Sequence, residues 1–174
     1  MNPDIVAGWL ERILEHEGGF SISSLDPGNW TGGVVGRGTL KGTKWGIAAN
    51  TYPDMDIRNL TKQQAADIYI RDYLAPLKAD TMAPSVVFQL LDYAINSGPA
   101  RAVKSLQAAV HVTPDGVVGP VTVAAVHACS QTDLVMLLLA QRLDFMTDRK
   151  NWETAGKGWA RRIAANLRFA AEDT

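Results

Sequence analysis

The stretch Ile5-Val6-Ala7-Gly8-Trp9-Leu10-Glu11-Arg12-Ile13-Leu14-Glu15-His16-Glu17-Gly18-Gly19 decides the reading of the fold. Ile5, Val6, Trp9, Leu10, Ile13 and Leu14 recur at the spacing of one helical face, which predicts a helix over 5–17. Gly18-Gly19 ends it, because glycine accepts the left-handed backbone that closes a helix. At about 100° per residue, Glu17 lies roughly 40° from Ile13 and 20° from Leu10 around the axis, so a carboxylate falls on the stripe that faces the core. On one reading Glu17 reaches solvent or caps a loop amide. On the other it is a partly desolvated carboxyl with a raised pKa, as a general acid working near neutral pH requires.

Outward from this helix the composition changes. Nine of the 15 glycines lie between Gly18 and Gly46, and Asp26-Pro27-Gly28-Asn29 is a turn signal, so no long helix is expected there. Gly33-Val34-Val35 and Trp45-Gly46-Ile47 are candidate strands of a small hairpin. From Thr61 onward the pattern is helical. Thr61-x-x-Gln64 is a capping box for a helix running to about Leu74, where Pro76 stops it. Pro84 opens a helix that ends at Gly98, Pro99 and Pro120 open two more, and helical segments over 132–148 and 158–171 complete the chain. The expected fold is mainly α (α+β): a helical body with a glycine-rich β/loop lobe at 18–52 after the first helix.

The remaining arithmetic excludes several functions. A chain of 174 residues fits a single domain of roughly 150 residues. Its 47% hydrophobic content speaks against disorder. A net charge of -1 supplies no field for gripping a phosphate backbone, so nucleic acid is not an expected partner. Cys129 is the sole cysteine, which excludes an intrachain disulfide. His16, His111 and His127 lack metal-ligand spacing, and no metal or cofactor is expected. The segment Gly36 to Lys44 resembles a phosphate loop only superficially, since it nowhere satisfies the Walker spacing. No nucleophile-elbow motif is present. Met1-Asn2-Pro3-Asp4 lacks the positive start of a secretory signal, and the longest apolar run falls well short of the roughly 20 residues of a membrane span. Stable membrane insertion is therefore not expected.

Asp26 follows Glu17 within a polar turn that keeps a carboxylate ionised, although an Asp opening Asp-Pro-Gly commonly just caps the turn. Two acids in contrasting environments suit glycoside hydrolysis, where one protonates the leaving oxygen and the other activates water or stabilises an oxocarbenium-like sugar. Trp30, Trp45 and Tyr52 flank this region as candidate sugar-stacking walls, with Trp45 the foremost, whereas Trp9 belongs to the buried stripe. Asn96, ending a buried helix, either hydrogen-bonds an N-acetyl group or caps backbone.

Glu17-Gly18-Gly19-Phe20, Asp26-Pro27-Gly28-Asn29-Trp30-Thr31-Gly32-Gly33 and Gly42-Thr43-Lys44-Trp45-Gly46-Ile47-Ala48 together resemble the signature of the phage-type muramidases of glycoside hydrolase family 108. The resemblance implies an endolysin-like lysozyme cleaving the β-1,4 bond between N-acetylmuramic acid and N-acetylglucosamine of bacterial peptidoglycan. It implies Glu17 as catalytic acid, with Asp26 and Thr43 as companions. Thr31 rivals Thr43, because the glycine-rich insertion leaves the spacing ambiguous. Asn96-Ser97-Gly98, Gln107, Asp115-Gly116-Val117-Val118-Gly119-Pro120, Thr122, Trp152 and Gly158-Trp159 resemble the helical peptidoglycan-binding region that accompanies the family, which divides the domain into a catalytic part at 4–97 and a helical part at 98–171. For Asp115 to Pro120 an architectural role outweighs glycan contact, since the motif is a turn feeding a helix start. The same picture implies a monomer made in a host cytoplasm and released to the cell wall in the periplasm through a holin. The alternatives are a non-catalytic peptidoglycan-binding module and a lytic transglycosylase. Finally, Arg149, Lys150, Lys157, Arg161, Arg162 and Arg168 stand against the single acid Glu153, a stretch that reads either as a solvated face or as a surface for anionic cell wall.

Overall fold

The computed structural model describes residues 2–16 and 19–173 and divides the chain into two compact units, residues 1–70 and 71–174. Glu17 and Gly18, on which the catalytic-acid assignment falls, lie outside the described residues. The architecture is mainly α, as the sequence predicts, with seven α-helices and one two-stranded sheet among the described residues.

The first unit opens with α1 (Pro3–His16). The Asn2 carboxamide accepts from the Asp4 amide at 2.9 Å, and Pro3 stands where a missing N–H costs no intrahelical bond. Val6, Trp9, Leu10, Ile13 and Leu14 are buried, whereas Ile5 is not. The glycine-rich segment follows, and in it β1 (Thr43–Lys44) pairs antiparallel with β2 (Ile47–Ala48), Thr43 opposite Ala48 and Lys44 opposite Ile47. Ser21 forms a further bridge on the other side of Thr43, with reciprocal backbone bonds of 2.8 Å.

This hairpin corrects the sequence expectation. Gly33-Val34-Val35 is not a strand: Gly33 (φ +67°) and Gly36 (φ +80°) turn the chain back, and the Arg37 amide donates to the Val34 carbonyl at 3.0 Å. Trp45-Gly46 is the turn rather than a strand start. Both residues are left-handed, at φ +52° and +73°, as a two-residue turn matching the strand twist demands. Gly42 (φ +86°) is required for close approach, because a Cβ there would sit 2.5 Å from the Ser21 carbonyl oxygen and 2.9 Å from the Phe20 ring.

α2 (Lys62–Ile68) carries the expected capping box, with Thr61 and Gln64 satisfying each other's backbone amides. The helical run continues to Leu74, but over Tyr69–Leu74 it widens to π geometry, and Pro76 then lies in a 3-10 turn, Ala75–Leu77.

The second unit is built around α3 (Pro84–Ser97), buried from Ser85 to Ala94. It packs on α4 (Pro99–Ala109), α6 (Gln131–Thr147) and α7 (Trp152–Asp173), and α6 packs on both α4 and α7. α5 (Pro120–His127) precedes α6, which Ser130 caps. Pro84, Pro99 and Pro120 all occupy first-turn positions, where the ring replaces an amide without an intrahelical partner. α7 begins six residues before the predicted 158. Gly156 is no helix break there but a packing gap, since a Cβ would lie 2.7 Å from the Trp152 ring.

Asp92 joins three of these helices. Its carboxylate accepts from Arg142 Nη1 at 2.6 Å, Arg162 Nη2 at 2.8 Å and Asn166 Nδ2 at 2.7 Å. Burial alone would raise its pKa, but the two guanidinium charges and the hydrogen bonds from Arg162 and Asn166 overcome this and hold it well below the usual carboxylate range. The C-terminal basic stretch is corrected accordingly. The Arg162 side chain is only 15% exposed and belongs to this cluster, while Lys157, Arg161 and Arg168 face solvent.

Candidate functional site

Asp26, Trp30, Thr43, Trp45 and Tyr52 all belong to the lobe of the first unit, and backbone hydrogen bonds tie their segments together. Asp26 is exposed and caps a 3-10 turn, Pro27–Asn29, its Oδ1 accepting from the Gly28 amide at 2.8 Å. The capping role weighed in the sequence is thus present. The carboxylate still stands at the surface, since one of its oxygens serves that single short bond and the residue is exposed.

Asn29, three residues on, is 2% exposed. Its backbone amide donates to the Asp26 carbonyl at 3.1 Å, and its own carbonyl accepts from the Lys41 and Gly42 amides at 2.9 and 3.1 Å. Its side chain donates from Nδ2 to the Ser23 carbonyl at 3.2 Å and accepts on Oδ1 from the Thr43 hydroxyl at 2.8 Å. One buried amide therefore joins the Asp26 turn to β1. Sequence reasoning treated Asn29 only as a turn residue. Asn in Asp-Pro-Gly-Asn is commonplace, and the signal that sets it apart is its burial, which no local pattern carries.

The two candidate threonines differ in environment. Thr31 Oγ1 accepts from the Thr39 amide at 2.9 Å and closes the 31–39 loop, where a Cβ on Gly38 would clash with that oxygen. Thr43 is half-buried and donates to Asn29, which leaves its oxygen with acceptor capacity.

The aromatic candidates also separate. Trp30 is half-buried and donates from Nε1 to the Ser24 carbonyl at 3.0 Å, which fixes its ring against the turn. Tyr52 is half-buried, its amide bonded to the Ala48 carbonyl at 3.1 Å, next to β2. Trp45 is the unusual one. A bulky residue at φ +52° is strained, its carbonyl is pinned by the hydroxyl of buried Tyr69 at 2.7 Å, and its buried Nε1 has no hydrogen-bond partner among the described residues. Tyr69, which anchors this turn, was not singled out from the sequence either. Its aromatic side chain on a predicted helix reads as ordinary core.

Lys41 and Lys44, which lent the loop its superficial phosphate-binding look, spend their ammonium groups on carbonyls. Lys41 Nζ donates to Pro53 at 2.6 Å and Lys44 Nζ to Arg58 at 3.0 Å, so both stitch the lobe to the segment after it. Asn96 belongs to the second unit, exposed near the end of α3, and accepts from the Ser97 hydroxyl at 3.1 Å. The Asp115 turn is held by buried Gln107, whose Nε2 donates to Asp115 Oδ1 at 2.7 Å and whose Oε1 accepts the Gly116 amide at 2.8 Å. These bonds supply the architectural role expected of the motif. Donation from Gln107 and from the Val117 amide holds the Asp115 carboxyl below its ordinary pKa.

No curated protein matches the chain. A solved structure of Brucella abortus SagA is similar, at 31% identity and a TM-score of 0.85, over 99% of this chain and 97% of that one. The model of the family Glycosyl hydrolase 108 matches residues 10–98, just over half of the chain, and takes in the C-terminal half of α1, the lobe, α2 and α3. A chain matched by this family's model over more than half of its length belongs to the glycosyl hydrolase 108 family.

Proposed function

We propose that the protein is an endolysin-like N-acetylmuramidase that hydrolyses the β-1,4 bond between N-acetylmuramic acid and N-acetylglucosamine in bacterial peptidoglycan. Glu17 donates the proton to the leaving oxygen, Asp26 holds negative charge opposite the developing oxocarbenium ion and takes a proton from the attacking water, and Thr43 holds that water. The observation that carries the reading is the joining of Asp26 and Thr43 through Asn29 in one lobe of a glycosyl hydrolase. Trp45 and Tyr52 supply apolar faces beside it, which suit the hydrophobic side of a sugar ring. The substrate lies beyond the inner membrane, and passage through a holin pore is part of the proposal.

Mass spectrometry of purified peptidoglycan digested with the protein tests this. Fragments with hydrated N-acetylmuramic acid at the reducing end are expected. Anhydro-muramyl ends would show a lytic transglycosylase, N-acetylglucosamine at the reducing end a different bond, and binding without release of sugar a non-catalytic module.

A further inference from the structure

The direction of the hydrogen bonds around Asn29 says more than that the lobe is well tied. The Ser23 carbonyl can only accept, so the group facing it at 3.2 Å must be the NH2 of Asn29. Oδ1 is thereby turned to the other side, and a carboxamide oxygen can only accept. The Thr43 hydroxyl, 2.8 Å away, must therefore be the donor. Asn29 is locked in this orientation by its 2% exposure and by the backbone bonds to Asp26, Lys41 and Gly42. A free threonine hydroxyl rotates and offers a water either a proton or a lone pair. Thr43 has its proton committed, and what it offers on its remaining side is a lone pair.

We infer that Asn29 is a positioning residue for hydrolysis: it accepts the hydrogen bond of the Thr43 hydroxyl so that the Thr43 oxygen serves solely as an acceptor for the attacking water. The inference rests on the proposed muramidase reaction. In that reaction the water must aim its own lone pair at the anomeric carbon, so its two protons have to point elsewhere. One is accepted by Thr43 Oγ1 and stays with the oxygen in the product hydroxyl. As the new C–O bond forms, the glycosidic C–O bond breaks, Glu17 gives its proton to the leaving oxygen, and the second water proton passes to the Asp26 carboxylate. A threonine free to donate would instead pull the water's lone pair away from carbon. Asn29 removes that competing orientation before substrate arrives, which is preorganisation by a group that never touches the sugar.

The experiment is a double-mutant cycle in the full-length chain, reading kcat and KM for release of reducing ends from peptidoglycan, with thermal melts to establish folding. Thr43→Val and Asn29→Leu are each expected to lower kcat about tenfold or more with KM little changed, and the double variant should be no worse than Thr43→Val alone. Should Asn29→Leu fail to fold, Asn29→Ala takes its place in the same cycle. In the unmodified chain, the Thr43 hydroxyl proton should be visible by NMR and close in space to the Asn29 side chain. Losses that multiply in the double variant, an Asn29→Leu enzyme with wild-type kcat, or a Thr43 hydroxyl proton in free exchange with water would each overturn the inference while leaving the muramidase reading intact. A wild-type chain that releases no sugar would overturn both.

Discussion

Glu17 is the residue on which hydrolysis turns in the proposed reaction, and its role is read from the sequence, from its register with the apolar stripe of Ile13 and Leu10 and from the resemblance to the family. Glu17→Gln is nearly isosteric and removes only the transferable proton. Loss of roughly 10²–10⁴-fold in turnover is expected with an unchanged circular dichroism spectrum, and a folded variant keeping more than about a tenth of wild-type activity would remove Glu17 from the mechanism. Trp45 belongs to the same scale. A left-handed backbone and a buried indole N–H without a partner among the described residues are two costs at one position, and such costs gather where function selects the residue rather than stability. Trp45→Phe deletes the N–H and keeps a smaller aromatic ring. If Trp45 lines the sugar site, KM should rise about 3- to 10-fold with kcat nearly constant, and the melting temperature should change little, since no hydrogen bond to a described residue is lost. Steady-state kinetics and a thermal melt on one preparation check both halves.

At the scale of elements, α7 shows how one helix divides its charges. Successive residues point about 100° apart, so Arg161 and Arg162 cannot share a face. Arg162 turns inward to Asp92 beside Asn166, whereas Arg161 stays outside with Lys157 and Arg168. Arg162→Gln should therefore destabilise the protein by roughly 1–3 kcal/mol, the scale of hydrogen bonds lost to a buried charge, because Arg142 and Asn166 still hold the Asp92 carboxylate. Arg161→Gln should change stability by no more than about 0.5 kcal/mol. Urea unfolding of the two variants separates them. Salt-dependent binding to cell walls, if the basic face provides it, should respond to Arg161 and Lys157 without confusion from the core. The lobe shows a related division, because Lys41 and Lys44 count as charges in the sequence but act as carbonyl-bound struts in the fold.

At the scale of the whole molecule, the second unit rests on a buried carboxylate and so carries a definite pH dependence. Asp92 has its pKa lowered in the folded chain, whereas an unfolded Asp titrates near roughly 3.9. A depressed folded pKa contributes stability that is fully present above the unfolded value and is lost as pH falls toward the folded one. Stability from this group should thus be level between neutral pH and about 5 and decline below about 4. Asp92→Asn should lower stability at neutral pH and flatten the acid limb. Denaturant midpoints measured from pH 3 to 7 for both proteins, on the order of one point per unit, would show it. An acid limb of equal slope in the variant would place the sensitivity elsewhere.

The sequence by itself determined the features that depend on neighbours within a turn or two of chain. Prolines 84, 99 and 120 mark helix starts because a missing amide is harmless only there, the Thr61 and Gln64 pair closes its own capping box, and the glycines after α1 exclude a long helix. The candidate residues Asp26, Thr43 and Trp45 were singled out for a similar reason, from short motifs that resemble the family's, and they fall within the stretch that the family model matches. Only the tertiary structure decided the rest. It made Trp45-Gly46 the hairpin turn instead of Gly33-Val34-Val35 a strand, chose Arg162 over Arg161 for the core, and turned an ordinary turn asparagine into the buried link to Thr43. Each of these outcomes depends on burial and on hydrogen bonds between residues distant in the chain. Local propensity scores Asn29 and Arg162 as surface residues, and it is the desolvation of a polar group, offset only by a partner that folding delivers, that settles where such a residue goes.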